Sequence, residues 1–117
     1  DIKNTVNIKI IGVLESSEII DYFKQIIDGD LVKDGFIEIV DLNEATDFVL
    51  RYSDLDKIRE LTIKLNKIGH KCSLMCAYNE RSKGISSMML PLYQKVEFEY
   101  FMCDSEIYFQ NKLRIFQ

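Results

Sequence analysis

The chain has 117 residues and carries 15 Lys and Arg against 19 Asp and Glu, a formal net charge of −4. That length suits one domain with one core, residues 1–117. The apolar share of 47% with 29% charged residues marks a globular chain and excludes a disordered one. The acidic balance and the scattering of the basic residues exclude a nucleic-acid partner, which needs clustered Lys and Arg.

No apolar run approaches the roughly 20 residues of a spanning helix, and no basic segment leads into an apolar one as in a signal peptide. The cysteines, Cys72, Cys76 and Cys103, are odd in number and lack secretory context, so a cytoplasmic, reduced setting is expected. Cys72-x3-Cys76 lacks zinc spacing, and the only histidine, His70, reads as a surface residue at a turn. No metal and no cofactor are expected: the glycines are isolated and no phosphate loop is present.

Residues 5–14, TVNIKIIGVL, alternate as a strand. Glu15-Ser16-Ser17-Glu18 reads as a helix start, and Ile19, Phe23, Ile26 and Ile27 share one helical face. Residues 36–41, FIEIVD, form a short strand, followed by a loop of about ten residues. Ser53-Asp54-Leu55-Asp56 reads as a capping box with Asp in place of Glu, starting a helix with the stripe Leu55, Ile58, Leu61, Leu65 and Ile68. Gly69 suits the end of that helix. Lys71–Cys76 is a third strand, and a helix follows from Asn79 to about Met89, which Pro91 should stop. Val96–Met102 is a fourth strand, and Asp104 caps a last helix to about Leu113.

The order βαβαβαβα predicts an α/β fold with an open, mostly parallel sheet of four or more strands. Strand parity assigns Val6, Ile8, Ile10, Ile37, Ile39, Cys72, Leu74, Phe98 and Tyr100 to an apolar face. The opposite face carries Lys9, Glu38, Glu97 and Glu99 near the strand starts and Val13, Val40, Met75 and Phe101 near their ends. Helices are therefore expected mainly on one face, with Lys9 and Glu38 exposed and able to pair across the other.

The run Gly12-Val13-Leu14 with its acidic helix start, the stretch Asp34-Gly35-Phe36-Ile37-Glu38-Ile39-Val40-Asp41-Leu42-Asn43-Glu44-Ala45, and Ser82-Lys83-Gly84-Ile85-Ser86-Ser87-Met88-Met89 together resemble the SpoIIAA-like, or STAS, family. The resemblance spans residues 8–113. It implies a non-enzymatic module that binds a protein partner or pairs with itself, or else takes an apolar ligand or meets a membrane surface. It also implies a phospho-acceptor serine just before the second helix, at Ser53, although the glycine of the family's D-S-S-G-like stretch is missing.

Asp41 stands at a strand's carboxyl end, where open α/β sheets bind ligands. A phospho-receiver would also need an acidic pair and a lysine that the other strand ends lack, so Asp41 reads as a loop-bonding residue. Val13, Val40, Asp41, Met75 and Phe101 are the candidate ligand end of the sheet. Met88, Met89, Leu90 and Tyr93 hold more apolar groups than one helical stripe buries, and are the candidate contact patch. Leu90 and Tyr93 are expected off the buried stripe of Ile85, Met88, Met89 and Leu92. Glu97 and Glu99 read as a solvated strand face.

Overall fold

The computed structural model describes residues 4–93 and 98–116. Four strands alternate with four helices: β1 (Thr5–Glu15), α1 (Ser16–Asp28), β2 (Phe36–Val49), α2 (Tyr52–Ile68), β3 (His70–Cys76), α3 (Glu80–Met89), β4 (Glu99–Cys103) and α4 (Glu106–Phe116). The strands lie in the order β1-β2-β3-β4, with every pairing parallel. Right-handed crossovers in one direction across a sheet lay the connecting helices on one side. Ile19, Phe23 and Ile26 of α1, Ile58, Leu61 and Leu65 of α2, and Ile85 and Met89 of α3 accordingly share one core with Phe36, Val40 and Met75. Only α4 returns over the other face, where Leu113 and Phe109 cover Ile37, Ile39, Cys72 and Leu74.

The pairing register corrects the assignment of strand faces. Val6 and Ile8 stand beside Glu38 and Val40, and those beside Ser73 and Met75. The β1 alternation thus runs with the set containing Glu38, while Ile37, Ile39, Cys72 and Leu74 face α4. A one-residue offset between strands moves every side chain to the opposite face, and nothing local to β2 reveals it. Glu38 is therefore 1% exposed rather than open to solvent. Lys9 pairs with Glu44 in its place. Lys9 and Glu99 are exposed as expected, and Glu97 lies outside the described residues.

Three local expectations also change. The stretch after Asp41 is strand, not loop: register shifts between Lys9 and Ile11 and between Gly12 and Val13 carry β2 alongside β1 to Val49. Leu42, Ala45 and Phe48 are buried at a spacing of three because of these bulges, so the alternation that signals a strand is absent. Ser53 is not the cap of α2. The cap position is two residues earlier, at Arg51, and Ser53 is exposed in the first turn. The buried Ser16 hydroxyl does the bonding at this end, accepting from Arg51 N–H at 3.0 Å and donating to Asp54 at 2.6 Å. The last helix begins at Glu106 rather than from an Asp104 cap, with Ser105 Oγ accepting from Tyr108 N–H.

Other signals hold. Gly69 closes α2 at φ +113°, a left-handed conformation that suits glycine. Pro91 ends α3, and Leu90–Tyr93 tightens into a 3₁₀ turn. No helix among the described residues is long and apolar enough to cross a membrane.

Candidate functional site

Glu38 is the third residue of β2, between α1 above and β3 beside it. Its Oε2 accepts from the Tyr22 hydroxyl at 2.7 Å, and its Oε1 accepts from Ser73 Oγ at 2.6 Å. Ser73 in turn contacts His70 Nε2 at 3.0 Å, and the same nitrogen lies 3.1 Å from the Cys72 carbonyl oxygen. A carbonyl can only accept, so Nε2 carries the imidazole proton. Ser73 then receives from His70 and donates to Glu38, which leaves both carboxyl oxygens as acceptors. The other ring nitrogen, Nδ1, is buried without a partner, as a bare lone pair in an apolar slot can be.

His70 is not a surface turn residue. It is 8% exposed, stacked against Phe36 at 4.5 Å and Phe98 at 3.7 Å between ring centroids. Burial lowers its pKa to about 4, only partly opposed by the bond to the Cys72 carbonyl. It is therefore neutral near pH 7. Burial likewise raises the Glu38 carboxyl, against the opposing hydrogen bonds from Ser73 and Tyr22. The Tyr22 and Tyr93 hydroxyls are pushed up by burial first and by the Glu38 charge second.

Glu, Ser and His are the residue types of a hydrolytic triad, but their order here does not activate the serine. A nucleophilic serine must give its proton to the histidine. Ser73 instead gives it to Glu38, accepts from His70, and is fully buried.

The carboxyl forms part of the lining of a cleft of about 490 Å³ between β1 and α1. Buried and half-buried Ile8, Ile10, Phe23, Val40, Met89 and Tyr93 supply its walls. The exposed side chains Lys9, Glu18, Asp21 and Gln25 form its rim. On the opposite face, a groove of about 370 Å³ runs past Asp41, Asn43, Cys76, Tyr78 and Glu106. Asp41 Oδ1 is engaged there with Asn43, accepting from its backbone N–H at 3.0 Å and its side-chain amide at 2.8 Å; the local backbone bond expected of it is made, but within β2 and not to a loop.

The sequence-derived ligand end does not assemble as one surface. Val13 and Val40 line the cleft. Met75 stands beside Val40 in register but is fully buried behind the cleft wall. Asp41 and Phe101 belong to the α4 face, where Phe101 packs on Phe116. Parity was the cause again: Phe101 pairs with Leu74, not with the Met75 row.

The contact patch also divides. Met88 and Leu90 are 48% and 38% exposed, while Met89 and Tyr93 are core residues whose side chains reach the cleft. Tyr93 is thus corrected from surface to core, stacked on Tyr100 at 4.8 Å, and Met88 is corrected from buried stripe to surface.

The residues that sequence reasoning missed are Glu38, Tyr22, Ser73 and His70. One local signal was available: Glu38 is a lone acid inside the apolar run Phe36-Ile37-Glu38-Ile39-Val40 of a central strand. All three cysteines are free and buried, and Cys76 and Cys103 stand in register on neighbouring strands. Among the described residues, no group of three or more His, Cys, Asp and Glu side chains is placed to hold a metal ion. Compared with protein-family models, curated proteins and solved structures, the chain matches none.

Proposed function

We propose that this chain is a non-catalytic binding module whose cleft between β1 and α1 takes a small, largely apolar molecule. The observation that carries this reading is the cleft itself: about 490 Å³, walled by aliphatic and aromatic side chains and containing one buried carboxyl. Ligand sites commonly have this size and this make-up, an apolar wall with few polar groups. The test is a methyl-detected NMR titration with decanol as probe. The Ile8, Ile10 and Met89 methyl resonances should shift in the wild type. They should not shift in Ile10→Trp, which fills the cleft from the edge strand. Unshifted wild-type methyls would overturn the reading.

A second reading, contact with a protein partner or a second copy, is supported by a different observation. Ile11 is 70% and Val13 52% exposed on the part of β1 that α4 leaves open. The SpoIIAA-like resemblance points the same way, and Ser53, exposed in the first turn of α2, is accessible to a kinase. A cytoplasmic setting belongs to this proposal, supported by the three free thiols. Sedimentation equilibrium checks self-association: Ile11→Ser with Val13→Ser should dissociate a dimer. A wild-type chain that stays monomeric overturns pairing with itself.

A further inference from the structure

We infer that the molecule the cleft selects is a primary amine with an apolar tail, its ammonium head seated on Glu38. This rests on the ligand reading above and adds the chemistry of the head group.

Both Glu38 oxygens accept one hydrogen bond, from Tyr22 and from Ser73. A carboxylate oxygen has two lone pairs, so two acceptor positions remain. Both protein partners are neutral hydroxyls, and none of the ion pairs among the described residues involves Glu38. Burial raises the carboxyl's pKa, so its ionised form is hydrogen-bonded but has no cationic partner among the described residues, in a site 1% exposed. Holding such a charge out of water is costly, and a cation delivered to it by a ligand removes much of that cost. The ammonium group suits this position because it has three donors and no acceptor, and the site offers acceptors.

Two further features favour a cation. Tyr22 and Tyr93 line the same space, and aromatic side chains attract ammonium groups. The rim carries Glu18 and Asp21, while Lys9, the basic residue among its described lining, is paired with Glu44. A negative rim draws in cations and repels carboxylates. Beyond the head, Ile8, Ile10, Val40 and Met89 form an apolar track that would bury an alkyl or aryl tail.

The experiment is an NMR titration of the whole chain with three probes that share one tail: decylamine, decanol and decanoate. Decylamine should bind roughly tenfold or more tighter than decanol, a difference of about 1.4 kcal/mol, and decanoate should be weakest. Glu38→Gln should bring decylamine and decanol to within about twofold of each other. Should that variant fail to fold, the exposed rim pair Glu18→Gln with Asp21→Asn serves instead and should narrow the amine preference severalfold. Nα-acetyl-lysine methylamide offers the same head as a protein lysine would. It should bind at least tenfold more weakly than decylamine, and equal binding would overturn a free amine as the ligand. Equal affinity for decylamine and decanol in the wild type would overturn the cation inference while leaving the apolar-ligand reading standing. No shift with any probe would overturn both.

Discussion

Ser73 Oγ donates to Glu38 Oε1 at 2.6 Å, joining the middle of β3 to the first residues of β2 across 35 residues of sequence. Removing one partner of a buried hydrogen bond leaves the other desolvated and unpaired. Ser73→Ala should therefore cost about 1–3 kcal/mol in urea denaturation. Replacing the whole set with apolar groups of similar volume, Glu38→Met with Ser73→Ala and Tyr22→Phe, should cost less than Ser73→Ala alone. A triple variant that is less stable than the single one would mean that the network contributes net stability.

Ser16 is fully buried and bonded to both Arg51 and Asp54, whereas Ser53 is exposed. Ser16→Ala should lower stability by about 1–2 kcal/mol, the usual cost of losing the polar group that ties down a helix start. Ser53→Ala should change it by less than about 0.5 kcal/mol, as exposed substitutions do. Thermal melts of the two variants side by side decide it, and the reverse ranking would restore Ser53 as the cap.

The His70 pKa, lowered to about 4 from an ordinary value of 6.5, ties stability to pH. Between those values the unfolded chain binds a proton that the folded chain does not. This contribution is complete above pH 6.5 and is lost as pH falls toward 4. The full shift amounts to about 3 kcal/mol. Glu38 acts in the opposite sense: its raised pKa makes the folded state bind more protons above pH 4.5, so its contribution declines as pH rises. Subtracting the stability of His70→Phe from that of the wild type isolates the histidine. That difference should fall by up to about 3 kcal/mol from pH 7 to pH 4. A flat difference would mean that His70 titrates normally.

Gly69 and Gly12 both have positive φ, at +113° and +78°, but only Gly69 is crowded. A Cβ at Gly69 would lie 2.8 Å from the Asp34 Cα, a backbone atom. That segment cannot easily retreat, because Gly35 N–H donates to Gly69 O at 2.7 Å and Asn4 brackets Lys33 and Asp34. Gly12 has nothing within 4 Å. Gly12→Ala should show the conformational term alone, about 1–2 kcal/mol. Gly69→Ala should cost more than this, and equal urea midpoints for the two would show that the Asp34 contact relaxes freely.

The order of elements was legible because it depends on local physics. Helical stripes such as Leu55, Ile58, Leu61 and Leu65, the Gly69 stop and the Pro91 break each act within a few residues. From that order, a parallel open sheet with three helices on one face follows by chain connectivity. The site was not legible, because it is made by register. Whether Glu38 meets solvent or the interior depends on its alignment with Val6 of β1 and Ser73 of β3, and one residue of slip reverses the answer. The bulges near Gly12 erased the alternation that would have marked Leu42, Ala45 and Phe48 as strand. The sequence by itself thus determined the order of helices and strands, but not how far β2 extends. Only the packing of one strand against the next decided that a lone acid in an apolar run would become the buried carboxyl of a cleft.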